Sequence, residues 1–253
     1  MSNQLAYCTV SISPVRAENS DASEIKTQLL FGEIIEIIER TEKWLHIRTY
    51  FDNYTGWIDP KQVKHLTKKE VSRWMDGLTY QTELINTLVT PWGKQNIFKG
   101  SYIPSTNEDH FNIGNDEFSL IKQGKENNSI SPIDIALDYL NTPYLWGGKT
   151  PFGIDCSGIT QVVFRFLGIN LPRDASQQVE HGNTIDFEER LPGDLFFFEN
   201  DNGKITHVGI IKNENEIIHA SGQVKIDQYD SKGIIHSSKE YYTHKATIIK
   251  RLI

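Results

Sequence analysis

The chain has 253 residues, 38% of them hydrophobic, enough for one large domain or two to three small ones with real cores. A net charge of -7 gives no electrostatic case for nucleic acid and argues against adhesion to anionic surfaces such as membranes or wall polymers. Two cysteines, Cys8 and Cys156, cannot build a disulfide framework, and no run approaches the roughly 20 apolar residues of a membrane span.

The N-terminus, Met1-Ser2-Asn3-Gln4-Leu5-Ala6, lacks a basic stretch and an apolar core of the kind that directs export, which predicts a cytoplasmic protein. Residues 1–68 read as β. Ala6 to Val10, Glu33 to Glu39 and Thr55 to Pro60 are short strand candidates, and Leu45-His46-Ile47-Arg48 alternates apolar and polar as a half-buried strand should. Short strands with long polar loops suggest a small barrel. The order Phe31-Gly32-Glu33, Trp44-Leu45-His46-Ile47, Gly56-Trp57-Ile58 resembles the bacterial SH3-like domain. Residues 69–127 carry fewer signals. Thr87 to Thr90 runs into Pro91-Trp92-Gly93, and Phe118 to Ile121 is a further strand, so this stretch is read as a second, diverged barrel. The polar run Lys125-Glu126-Asn127-Asn128-Ser129 marks the next boundary.

Residues 128–253 begin with Ser131 as an N-cap and Pro132 at the first helical position, followed by an apolar face of Ile133, Ala136, Leu137 and Leu140. After the turn-rich Tyr144-Leu145-Trp146-Gly147-Gly148, the residues Ile159, Val162, Val163, Phe166 and Leu167 recur at helical spacing and end at Gly168. Asp174 is placed to cap a short helix ended by Gly182. From Leu191 the pattern turns to strands: Leu195 to Phe198, Thr206 to Ile211, Glu216 to Ala220 and Thr247 to Leu252, with turns at Asn200 to Gly203 and Asn213 to Asn215. Helices first and a meander after predict an α+β domain with helices on one face of an antiparallel sheet.

Cys156 sits at the start of its helix, where unpaired N–H groups and the positive dipole end favour an anion, so its thiol is expected to ionise readily and to be unpaired with Cys8. A thiolate nucleophile needs a base and something to aim that base. His207 and His219 lie on adjacent predicted strands, near one end of the sheet, and supply both roles if the Cys156 helix packs there. A lone histidine is most often structural or on the surface, and His46, His65, His110, His181, His236 and His244 are read that way. One Cys with two His is also a zinc ligand set, but none of the three sits in a close pair such as C-x-x-C.

Six pieces in order then carry a resemblance. They are Pro143 to Gly148, Asp155-Cys156-Ser157-Gly158, Leu171-Pro172-Arg173-Asp174, Leu191 to Leu195, His207-Val208-Gly209-Ile210 and Ile218-His219-Ala220. Together they resemble the NlpC/p60 cysteine peptidases, papain-like enzymes that cut bacterial cell-wall peptides. The resemblance implies Cys156 as nucleophile, His207 as base and His219 as the third polar residue, with no metal and no cofactor. It implies Tyr144 beside the oxyanion. Barrel, second barrel and peptidase in that order resemble a subgroup of γ-D-glutamyl-L-diamino acid endopeptidases that require a free N-terminal L-Ala. In that subgroup the ammonium site maps to Asp174, aided by Asp155, Ser157 and a barrel tyrosine, here Tyr54, with Trp146 among the substrate-binding residues. Ala175 lacks the hydroxyl that relatives often have there. The reading is a monomeric hydrolase of murein peptides. An exported wall hydrolase anchored by its barrels, and a catalytically inert wall-peptide binding protein, are the alternatives.

Overall fold

The computed structural model describes residues 4–105, 109–121, 131–238 and 240–253. The chain divides into two compact units, residues 1–128 and 129–253. The polar joint read around Lys125 to Ser129 lies outside the described residues.

In the first unit, strands β1 (Gln4–Cys8), β2 (Ile12–Arg16), β3 (Ile25–Leu30), β4 (Ile34–Arg40), β5 (Leu45–Thr49), β6 (Thr55–Ile58) and β7 (Val63–Leu66) form one antiparallel sheet. Its order is β3-β2-β6-β5-β4-β1-β7. The alternation in β5 acts as expected: Leu45 and Ile47 point into a core with Ala6, Cys8, Val15, Leu29, Ile35, Ile37 and Ile58. Cys8 is thus a small apolar core residue, and neither it nor Cys156 is in a disulfide. The sequence reading passed over β2 because Pro14 sits inside it, and a proline weakens any strand assignment.

Helix α1 (Lys68–Met75) follows, fixed by a capping box in which Thr67 Oγ1 accepts from Glu70 N and Glu70 Oε2 accepts from Thr67 N. Next come β8 (Leu78–Tyr80), β9 (Ile85–Thr90), β10 (Gly93–Phe98), β11 (Tyr102–Pro104), β12 (His110–Ile113) and β13 (Asp116–Ile121). They make a four-stranded sheet, β10-β9-β13-β12, and a two-stranded one, β11-β8. One apolar cluster spans both parts of this unit: Tyr7, Phe31 and Ile34 pack with Trp74, Leu88, Ile97, Phe111 and Phe118. Asp116 ties the same parts together, accepting from Tyr7 Oη at 2.6 Å and from Lys64 Nζ at 2.6 Å.

The second unit holds α2 (Pro132–Leu137), β14 (Lys149–Thr150), β15 (Gly153–Ile154), α3 (Cys156–Arg165), α4 (Ala175–Gln178) and β16 (Asn183–Ile185). After these come β17 (Leu195–Glu199), β18 (Ile205–Ile211), β19 (Glu216–Ser221), β20 (Gln223–Asp230), β21 (Gly233–Ile235) and β22 (Tyr242–Arg251). The large sheet runs β16-β22-β17-β18-β19-β20-β21, all antiparallel, and β21 also pairs with β22. That extra pairing closes the predicted meander, β17 through β22, on itself. Strand β17 is buried on both faces. Phe196 and Phe198 join Ile211, Ile217, Tyr229, Ile234 and Ile249 in one core. Leu195 and Phe197 on the opposite face are buried as well. Helix α3 packs on β18 and β19, and α4 on β18. Ser131 caps α2 as expected, accepting from Ile133 N at 3.2 Å ahead of Pro132.

Asp116→Ala removes the acceptor of the buried Tyr7 hydroxyl. We expect it to destabilise the first unit by roughly 1–3 kcal/mol in urea unfolding, with the second unit's transition unchanged.

Candidate active site

The start of α3 is built by one carboxylate. Asp155 is the N-cap, and its Oδ1 accepts from Gly158 N at 2.7 Å. Its Oδ2 accepts from Gly147 N at 2.7 Å and from Arg173 Nη2 at 2.6 Å. Arg173 also donates from Nη1 to Ser157 Oγ at 2.8 Å. Both ends of the ion pair are buried. Gly148 and Gly158 permit the close approach this requires: a Cβ on Gly158 would stand 2.3 Å from the Gly148 carbonyl oxygen. Gln178, wholly buried, ties α4 to the same helix by donating from Nε2 to the carbonyls of Ser157 and Pro172.

The histidines come from the meander. β18 and β19 are in register at Ile210↔Ile218 and Ile211↔Ile217, so His207 and His219 lie on one face, diagonal to each other. His207 Nε2 is 2.9 Å from His219 Nδ1. His219 pairs with Lys225 across β19 and β20, and Ile217 pairs with Asp227. That register puts Asp227 diagonal to His219 on the same face, with Oδ2 3.0 Å from His219 Nε2. Gly209 leaves room for the pair, since a Cβ there would meet Ile217 Cδ1 at 2.7 Å and His219 Cβ at 3.1 Å.

The sulfur of Cys156 reaches β18 at the peptide that follows His207. The N–H groups of Val208, the residue after His207, and of Ser157 interact with Cys156 and favour its thiolate. Burial and the Asp155 carboxylate outweigh them and push the thiol up to about 12. Burial first, then the neighbouring His244, His219 and Lys225, hold His207 well below its ordinary value. Enclosure thus favours the neutral form of each group. The helix start alone points to a readily ionised thiol, and desolvation in the assembled site acts in the opposite direction. Burial, and after it the neighbouring Cys156 and Asp155, raises the Tyr144 hydroxyl to about 12, so it remains a donor.

Cys156, Tyr144, Asp155 and Ser157 thus gather at one helix start, which reaches β18 at the peptide after His207, while His207 and His219 pair across β18 and β19. Asp174 is at the N-cap of α4, its backbone N donating to Gln177 Oε1 at 3.3 Å. Trp146 is exposed in the loop before Gly147. Tyr54 belongs to the first unit, where Lys26 Nζ lies 4.7 Å over its ring. Three residues escaped the sequence reading. Asp227 lies on β20, whose alternation Val224, Ile226 between polar neighbours was a usable strand signal. His244 was read as structural or surface, yet its ring stacks on His207 at 4.1 Å. Arg173 was quoted in a motif without a role, and nothing local foretells its burial. His207, His219 and His244 hold ring nitrogens within 4.8 Å of one another. Two of those nitrogens, His207 Nε2 and His219 Nδ1, face each other at hydrogen-bonding distance, 2.9 Å.

A model of the NlpC/P60 family matches residues 141–247, and one of the bacterial dipeptidyl-peptidase SH3 domain matches residues 15–63. Residues 141–247 are an NlpC/P60 domain. The SH3 match makes the chain an SH3–NlpC/P60 protein. A γ-D-glutamyl-L-lysine dipeptidyl-peptidase of Bacillus cereus is 26% identical over 230 residues, 79% of this chain and 68% of that one. A probable endopeptidase NlpC of Escherichia coli is 44% identical over 99 residues, 38% of this chain and 59% of that one. The crystal structure of an NlpC/P60 family protein from Bacillus cereus superposes with a TM-score of 0.81 at 20% identity, covering 98% of this chain and 99% of that one, and so shares its fold.

Two outcomes follow from the geometry of the NlpC/P60 domain. Gly209→Ala should force His219 off His207, abolishing the low-field imidazole N–H resonance of the pair and destabilising the fold by about 1–3 kcal/mol. Iodoacetamide should alkylate Cys156 in the ligand-free protein more slowly than free cysteine near neutral pH, its rate still climbing beyond the ordinary cysteine pKa. A plateau already reached in the acid range would instead reveal a preformed ion pair.

Proposed function

We propose that the protein is a cysteine peptidase that hydrolyses the bond between γ-D-glutamate and an L-diamino acid in murein peptides bearing a free N-terminal L-Ala. The observation that carries this reading is the hydrogen-bonded pair His207–His219 on adjacent strands, with His207 on β18 just before the peptide N–H that meets the sulfur of Cys156. The names of the dipeptidyl-peptidase relatives support the bond and the substrate class. In the same proposal, residues 69–127 are a second, diverged SH3-like barrel, and the helices pack on the sheet in papain-like fashion.

Cys156 Sγ attacks the γ-carbonyl carbon while the thiol proton passes to His207 Nδ1, the nitrogen not engaged by His219. The carbonyl π pair moves to oxygen, where N–H groups at the start of α3 and the Tyr144 hydroxyl stabilise it. Neither ion is favourable alone in this buried site. Created together by one proton transfer, imidazolium and oxyanion keep the site's net charge constant. Collapse of the intermediate breaks the C–N bond, and His207 returns its proton to the leaving amine. Water then attacks the thioester, giving a proton to His207, and the departing sulfur takes it back.

For the N-terminal ammonium, Asp174 is the assigned partner, with Ser157 and Trp146 completing the site. Asp155 contributes through its negative charge and its hold on Ser157 and Arg173. A need for a free amine confines activity to peptides already released from the wall, which fits recycling.

Incubation with L-Ala-γ-D-Glu-L-Lys, its diaminopimelate counterpart and the N-acetylated form of each tests this. We expect release of the diamino acid from the free peptides only, and a loss of at least about 10³-fold in Cys156→Ala. Equal turnover of acetylated and free peptides would remove the ammonium site, and parental activity in Cys156→Ala would remove the cysteine mechanism.

A further inference from the structure

We propose that Asp227 is a positioning residue of this site: by accepting the Nε2 proton of His219, its carboxylate fixes both imidazoles as Nε2–H tautomers and leaves the Nδ1 lone pair of His207 for the Cys156 proton. The inference rests on the cysteine peptidase reading for its role in catalysis, though not for the proton positions themselves.

Each step is forced by what the groups can donate and accept. An ionised carboxylate only accepts, so the proton between Asp227 Oδ2 and His219 Nε2, 3.0 Å apart, belongs to the ring. A neutral imidazole protonated at Nε2 has only an acceptor at Nδ1. That nitrogen faces His207 Nε2 at 2.9 Å, so His207 must carry its proton there. His207 is held neutral by burial, and its Nδ1 is then an unprotonated base. Asp227 itself stays ionised. Burial raises its carboxyl, but hydrogen bonds from His219 and Lys225 outweigh this and bring it to about 2.

The surroundings sharpen the assignment. Lys225 Nζ lies 2.8 Å from the same Oδ2 and holds the carboxylate in place. His244 stacks on His207, Phe198 packs against the same ring, and neither supplies an anion. Positive charge on His244 or Lys225 disfavours an imidazolium at His207. Among the described groups facing this pair, Asp227 is the carboxylate hydrogen-bonded to it, and it lies on the side of His219 remote from His207. When the thiol proton reaches His207, the new positive charge is offset through His219 by Asp227.

The test uses the full chain labelled with ¹⁵N. Imidazole nitrogen shifts near neutral pH report the tautomers of His207 and His219 in the parent, in Asp227→Asn and in Asp227→Glu. Turnover of L-Ala-γ-D-Glu-L-Lys is followed across the acid and alkaline limbs of its pH profile. We expect Nε2–H on both rings in the parent. Asp227→Asn, whose amide can donate to His219 Nε2, should move a proton to Nδ1 and lower kcat about 10–100-fold with little change in KM. Asp227→Glu should restore the parental tautomers and much of the rate. A parental His219 protonated at Nδ1 would overturn the proposal, as would an Asp227→Asn protein whose tautomers and kcat match the parent. The parental spectrum needs no variant, so misfolding of Asp227→Asn leaves the test intact. A parent that hydrolyses no such peptide would remove the peptidase reading, while the nitrogen shifts would still decide the proton positions.

Discussion

The second unit depends on the buried ion pair between Asp155 and Arg173. One carboxylate caps the cysteine helix, anchors the glycine loop that precedes it and binds the guanidinium that also holds Ser157. A buried pair of this kind is weak evidence for stability, since desolvation consumes much of the attraction, but removing one partner strands a charge inside. Its value here is geometric. Three segments between Gly147 and Arg173 are drawn to one point, and the sulfur of Cys156 is set beside it.

Electrostatics in the site run against the local argument from the helix start. Dipole and N–H groups favour a thiolate, as does Arg173, yet enclosure in the folded unit pushes the thiol the other way. The same enclosure keeps His207 and His219 uncharged. A site with both groups neutral stores no separated charge until a carbonyl arrives with donors waiting for its oxygen. The preference for neutral partners also explains why the proton inventory between Asp227, His219 and His207 matters: in a dry site each hydrogen has one place to go.

What could be read from residues alone was local pattern. Alternation in Leu45 to Arg48, the doubly buried Leu195 to Phe198, the Ser131-Pro132 helix start and the spacing of Ile159, Val162 and Val163 all act in the fold as their chemistry suggests. The two histidines could be paired because a short turn joins their strands. The remainder was set by contacts between distant segments. Pro14 concealed β2, closure of β21 on β22 has no local cause, and burial of Arg173 or of the thiol is a property of the assembled unit. Thr67 and Glu70 did spell a helix start, and the alternation around Ile226 did spell a strand; both signals were present and simply lay among polar residues.

The meander has a consequence for how the chain finds its structure. His207 and His219 are 12 residues apart and His219 and Asp227 only 8, all within successive hairpins. Such loops close at small entropic cost, and each doubling of loop length adds only about 0.6 kcal/mol. The pairings of β22 with β16 and β17, and the seating of α3 on β18, span far more chain. The acid–base half of the site is therefore low in contact order, and the nucleophile half is high. The barrier to forming this unit lies in bringing Cys156 to histidines whose own hairpins need no distant partner to close.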